Sequence, residues 1–245
     1  MKVELEKQTR FFELKADFSL RPRALVNYLQ EVAAIHSEQV GFGAKDLINS
    51  GNAWVLHRIG VQIHRPPTLG DRLKVVTWHT GQKAFRAYRD FEILCGGEAL
   101  VSAKSFWLFI DLARKKIVRP PKHASETYTQ EPGIDWDLSI DDWKPDQKAV
   151  PEHVCTIATR PSDYDPLGHV NNAVYFDYLE ALIASAFPQG GNIQSMVVQF
   201  SREIPRGVEA IQAGLWPQDK GYAFRIFSGD SIYSTGEFQL FSNEQ

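Results

Sequence analysis

Apolar residues recur along the chain at two different periods, and the succession of periods occurs twice. Residues 24–36, ALVNYLQEVAAIH, place Leu25, Leu29, Val32 and His36 at i, i+4, i+7 and i+11. That spacing lays one apolar stripe along a helix. Residues 170–187, VNNAVYFDYLEALIASAF, carry Val174, Tyr178, Leu182 and Ala186 in one row and Tyr175, Leu179 and Ile183 in the next. Each helix is followed by residues with the alternation of a strand. In the first half Val55, His57, Ile59, Val61 and Ile63 alternate before a turn at Pro66-Pro67 and Gly70-Asp71, a period of two. In the second half Val198-Gln199-Phe200 answers Val61-Gln62-Ile63, and Arg202 answers Arg65. FRAYRDFEIL followed by GGEALVSAKSFWLFI resembles YAFRIF followed by GDSIYSTGEFQLF. Both read as hairpins about a glycine-containing turn.

The pattern predicts an α+β chain built from two similar halves, each a long helix followed by about four antiparallel strands. The halves are expected at residues 1–122 and 153–245, with a linker over 123–152. The linker is acidic and proline-rich, and long for a connection inside one compact domain. Trp136 and Trp143 suit a segment pinned to a surface, or a partly disordered one with exposed tryptophans.

Composition narrows the classes. A chain of 245 residues, 43% hydrophobic and 23% charged, is ordinary for a globular protein able to bury a sizeable core. Its net charge of −3 argues against a general nucleic-acid binder. Cys95 and Cys155 lie far apart without metal-ligand or disulfide-scaffold spacing. No run approaches the ~18 apolar residues of a membrane span, and the charged opening MKVELEKQTRFFELKADF lacks a signal-peptide core. The expectation is a cytoplasmic protein without a metal or organic cofactor. A GxSxG elbow, a phosphate loop, an HExxH helix and a dinucleotide GxGxxG are all absent from the sequence.

Candidate chemistry is concentrated in Ser162-Asp163-Tyr164-Asp165-Pro166-Leu167-Gly168-His169-Val170-Asn171-Asn172, just before the second helix. Pro166 and Gly168 mark a turn, and the helix is expected to begin near His169 to Asn171. Backbone N–H groups at such a start can bind a developing oxyanion, with Asp165 beside them.

DYDPLGHVNNAVYFDYLE resembles the motif of hotdog-fold thioesterases, and the whole chain resembles the acyl-acyl carrier protein thioesterases of plant plastids and bacteria. The likeness includes LVNYLQEVAAIH, VLHRIGVQIHRPPTLGD and RDFEILCGGEALVSAKSFWLFID of the first half. The resemblance implies a tandem hotdog fold, each half a long helix wrapped by a curved antiparallel sheet. It implies hydrolysis of fatty acyl-acyl carrier protein thioesters to free fatty acid, terminating fatty acid synthesis. Asp165, His169 and Glu203 match the family's aspartate, histidine and glutamate. Leu167 stands where the family has an asparagine, and Ile204 where plant members have a cysteine. A cysteine-nucleophile scheme therefore cannot operate here, whereas a carboxylate-driven one can. Asp165 would act as general base or nucleophile, Glu203 would orient or deprotonate water, and His169 would bond a carboxylate or the thioester oxygen. Gly168 would let the backbone approach the acyl carbonyl, with Val170, Asn171 and Asn172 supporting the turn.

Each residue also has a plainer role. Asp165 suits a turn, His169 a structural hydrogen bond, and Glu203 an ion pair with Arg202 or Arg206. The first half has Asp17 but no Gly-His-Val-Asn-Asn, so it is expected to bind the acyl chain without catalysing. His36 and Trp54 are candidates to line that cavity, or to pack in the core. The expected partner is acyl carrier protein with its fatty acyl group, with no nucleic acid. Arg114-Lys115-Lys116 and Arg119 form a basic run that suits an acidic partner or simple solvation. The chain would be a monomer with pseudo-dimeric repeats, or a homodimer of such chains. Acyl-CoA hydrolysis and a non-catalytic acyl-binding module are the alternative functions.

Overall fold

A computed structural model describes residues 1–146 and 149–242; residues 147–148 of the expected linker and 243–245 of the expected second repeat lie outside the described residues. The chain forms two compact units, one of residues 1–21 and 25–140, the other of 22–24 and the described residues from 141 onward.

The first unit opens with β1 (Lys2–Gln8) and a 3-10 turn at Phe11–Glu13. There follow α1 (Pro22–Gln39), α2 (Ala44–Asn49), β2 (Asn52–Ile63), β3 (Arg72–Lys83), β4 (Arg86–Cys95), β5 (Glu98–Asp111), β6 (Lys116–Ile117) and α3 (Lys122–Thr127). Its strands pair antiparallel in the order β1-β3-β4-β5-β2, with β6 on β5. The second unit contains β7 (His153–Ala158), a 3-10 turn at Pro161–Asp163, α4 (Val174–Ala186), β8 (Ile193–Phe200), β9 (Ala210–Pro217), β10 (Tyr222–Ser228) and β11 (Ser231–Leu240). Its order, β7-β9-β10-β11-β8, repeats that of the first.

Local chemistry accounts for these boundaries. Pro22 sits at the start of α1, where its missing N–H costs no helical bond. The β4–β5 hairpin closes from Cys95 to Glu98 through Gly96 and Gly97, both at positive φ, the backbone that a two-residue turn demands. On α1 the expected stripe is buried: Leu25, Leu29 and Val32 are at most 1% exposed. On α4, Tyr178, Leu179 and Leu182 are likewise sealed. Burying each such side chain contributes roughly 1.5–3 kcal/mol. Tyr175 of α4 meets Phe200 of β8 edge-on at 5.2 Å, which fixes the helix against its sheet.

Residues 128–140 are stitched to the first sheet by strand side chains reaching for loop backbone. Trp78 Nε1 donates to the Pro132 carbonyl at 2.8 Å, Asp90 Oδ2 accepts the Ile134 amide at 2.8 Å, and Lys104 Nζ donates to the Trp136 carbonyl at 2.7 Å. The Trp136 ring also packs on Gly60, where a side chain would collide with Leu138. Trp136 packs on the sheet as expected, but most of the fastening comes from strand side chains bonded to the loop backbone.

Candidate functional site

The segment before each helix adopts one backbone design at a constant offset of 150 residues, Phe11–Leu20 matching Pro161–Val170. Lys15 N donates to Ser19 O at 2.8 Å, and Asp165 N to His169 O at 2.8 Å. Arg21 N donates to Glu13 O and Asn171 N to Asp163 O, each at 2.9 Å. Tyr28 and Tyr178 donate their hydroxyls to Glu13 and Asp163 at 2.5 and 2.9 Å. Burial first, and then the bond to the carboxylate, holds both phenols above the usual tyrosine range. Equivalent positions therefore compare directly: Lys15 stands for Asp165, Phe18 for Gly168 and Ser19 for His169.

In the second unit this design brings the candidate residues together. The loop after β8 runs beside the turn, with His169 bridged to Pro205 and Val170 N donating to Ile204 O at 3.1 Å. Ile204 is fully buried and anchors that loop. Glu203 is thereby held beside His169, with Nε2 and Oε2 3.0 Å apart. Their side chains are 30% and 50% exposed, so the pair is open to a reactant. Asp165 Oδ1 accepts the amides of Leu167 at 2.9 Å and His169 at 3.3 Å. Among the described residues, Oδ2 accepts no hydrogen bond. Gly168 has φ +87°, a left-handed conformation that side chains rarely adopt.

The helix begins at Val174, later than the sequence suggests, because bridges from Tyr164 to Val170 and from His169 to Pro205 keep the turn extended. The turn amides expected to face an oxyanion are consequently engaged inside the protein. Those of Leu167 and His169 serve Asp165 Oδ1, Gly168 serves Asp165 O, and Ala173 serves Asn171 Oδ1 at 2.8 Å. Among the described residues, the Asn172 amide has no acceptor in the protein.

The roles of several supporting residues escape a reading of the sequence alone. Asp163, with no exposed side-chain area, accepts from Arg160 N, Arg160 Nε and Tyr178. It thus ties the turn to α4. Tyr175 donates to the Arg202 carbonyl at 3.3 Å and braces the Glu203 loop from the helix. The signal available was the repeated spacing of Arg10-x-x-Glu13 with Tyr28 and Arg160-x-x-Asp163 with Tyr178.

His36 and Trp54 lie in the first unit. His36 is fully buried, and its Nδ1 accepts from Arg89 at 2.8 Å. Burial foremost, then Arg89, lowers its pKa to about 4, and His79 nearby is lowered to about 4 for the same reasons. Trp54 packs against Phe109 at 4.8 Å, on a cluster including Phe42, Leu47 and Tyr128. Among the described residues, no group of three or more His, Cys, Asp or Glu could hold a metal ion. Among them, too, no helix is long and apolar enough to cross a membrane.

Chemically, an imidazole on a carboxylate beside a second carboxylate can activate water and manage its proton. The 12:0-ACP thioesterase of Umbellularia californica shares 20% identity at a TM-score of 0.84, covering 98% of this chain and 96% of that one. An acyl-ACP thioesterase of Bacteroides thetaiotaomicron, 18% identical, also has a TM-score of 0.84, covering 98% and 97%. They share the tandem hotdog fold. A chloroplastic palmitoyl-acyl carrier protein thioesterase of Gossypium hirsutum is 26% identical over 80% of this chain and 51% of its own length. A chloroplastic acyl-[acyl-carrier-protein] hydrolase of Cuphea viscosissima is 28% identical over 87% and 55%. The chain thus spans about half the length of the curated relatives it matches. The family's N-terminal domain model matches residues 2–128 and its C-terminal domain model residues 147–225. The chain belongs to the acyl-ACP thioesterase family.

Proposed function

We propose that the chain hydrolyses fatty acyl-acyl carrier protein thioesters at Asp165, His169 and Glu203, releasing free fatty acid and so ending chain growth on the carrier. The observation that carries this is the 3.0 Å His169–Glu203 pair beside Asp165, in a chain matched by both domain models of the family. Water adds through oxygen to the thioester carbonyl carbon, with its proton passing to the imidazole or a carboxylate. The carbon–sulfur bond then breaks, and the departing pantetheine sulfur takes up a proton. Asp165 holds the turn with Oδ1 and offers Oδ2 to the water or the carbonyl carbon. Asn172 N–H, with the Asn171 and Asn172 side chains, supplies donors for the oxyanion.

The first repeat is proposed as the non-catalytic, acyl-binding half. Lys15 and Ser19 occupy the places of Asp165 and His169, so it has no acid–base pair there. Trp54 and its apolar cluster offer the acyl chain a surface, whereas His36 lies deep in the packed interior.

The test compares turnover of one acyl group on carrier protein and on CoA. Release from carrier protein at the higher kcat/KM supports the reading. Preference for CoA reassigns the substrate, and tight acyl binding without release from either makes the chain a binding module.

A further inference from the structure

The first repeat's copy of the proposed catalytic turn has Lys15 and Ser19 in place of the acid–base residues and carries exposed aromatic ones. Phe11, Phe12, Phe18 and Leu69 are 75%, 73%, 51% and 49% exposed. The two segments that carry them are laced together side by side. Ser19 bridges to Thr68, Leu20 N donates to Pro67 O at 2.7 Å, and Gly70 N donates to Thr9 Oγ1 at 3.0 Å. Phe18 sits at φ +61°, where the matching position of the second repeat has Gly168. A bulky side chain in left-handed backbone is strained, and here that conformation holds an aromatic ring out in water, where it contributes no core packing.

The surroundings are cationic, in a chain of net charge −3. Arg10, Lys15, Arg21, Arg65 and Arg72 lie on the same two segments, against Glu13, Asp17 and Asp71. Two of these cations are paired, Lys15 with Asp17 at 3.7 Å and Arg65 with Asp71 at 3.4 Å, and all three carboxylates also take the loop's own groups. Glu13 takes the Arg10 amide and Tyr28, Asp17 the Ser19 amide and hydroxyl, and Asp71 the Thr68 amide. At ~150–250 Å² per aromatic ring, the three phenylalanines present roughly 300–500 Å² of apolar surface. That is small beside the ~800 Å² per partner of a standard stable interface, and suits a contact that must release after each turnover.

We propose that this face of the first repeat docks the acidic carrier protein, the rings gripping an apolar ridge and Arg10 and Arg72 pairing with its carboxylates. The inference rests on the proposed function for its choice of partner. The degenerate turn thus serves recognition while its repeat-mate serves chemistry.

The test measures binding of acyl-free holo-carrier protein, alongside kinetics with acyl-carrier protein and with the same acyl group on pantetheine. Phe11→Ser with Phe12→Ser weakens carrier binding tenfold or more. It raises KM for acyl-carrier protein by a like factor, leaving kcat and pantetheine turnover unchanged. Arg10→Glu with Arg72→Glu acts in the same direction and flattens the salt dependence. Arg114→Glu with Lys116→Glu, on the other basic run, leaves binding unchanged. Unchanged carrier affinity in the first two variants, or no carrier binding by the wild type, overturns the proposal. So does intact carrier affinity with loss of self-association or of binding to anionic phospholipid vesicles, which assigns the patch to a second copy or to a membrane. If the wild type hydrolyses no thioester, the proposed function fails, while the binding measurements still decide the docking.

Discussion

Acidification from pH 7.5 to 5 is expected to destabilise the chain by about 4 kcal/mol through His36 and His79. Both are sealed, at 0% and 5% exposure, and both face the buried Arg89 guanidinium. His36 presents the Nδ1 lone pair to Arg89, so a proton there would remove the acceptor and set two cations in contact. Their folded pKa values of about 4 lie below the ordinary 6.5. The unfolded chain therefore binds protons that the folded chain refuses. Stability is complete above pH 6.5 and is lost as pH falls towards 4. At pH 5 the unfolded state gains about 2 kcal/mol per histidine relative to the folded state. Guanidinium unfolding at several pH values measures the loss. His36→Gln with His79→Gln, which keeps an acceptor for Arg89, should remove about 4 kcal/mol of the pH dependence. An identical pH slope in wild type and double variant would refute the reasoning, as would His36 and His79 imidazole resonances titrating near 6.5 in the folded chain.

Four further changes probe the turn and its supports. Gly168→Ala places a side chain at φ +87° and should cost about 1–2 kcal/mol, read as a lowered unfolding midpoint together with slower turnover. Tyr178→Phe removes one bond to Asp163 and should cost about 1 kcal/mol. Asp163→Ala strips the buried acceptor from Arg160 and Tyr178 together, and should cost about 3–5 kcal/mol in the same unfolding measurement. Leu179→Ala, at a residue 1% exposed on α4, should cost about 2–5 kcal/mol while leaving the KM for substrate near wild type.

The repeated architecture was legible because it is written in local terms. Leu25, Leu29 and Val32 give a helical period, and Gly96-Gly97 gives a two-residue turn. The candidate trio of Asp165, His169 and Glu203 was suggested only by family likeness, since Glu203 lies far along the chain and reaches His169 by the Val170–Ile204 bond. That same bond explains the delayed start of α4, which no local capping signal encodes. Arg89 was invisible for a different reason. It alternates with Phe91 and Ile93 on the inward face of β4, where a hydropathy pattern expects an apolar residue. The fastening of residues 128–140 depends on side chains of three separate strands, so the linker's composition pointed to a loop without showing where it would be held.

The most direct test of the central claim is fatty-acid release from a panel of acyl-carrier protein thioesters by wild type and Asp165→Asn, with folding of both checked by circular dichroism. The neutral amide can still accept the Leu167 and His169 amides, so the turn should persist. The account predicts release by the wild type and a loss of about 10²–10⁴ in kcat for the folded variant. Release by Asp165→Asn at the wild-type rate would contradict the assignment of the site, and no release by the wild type from any member of the panel would contradict the function.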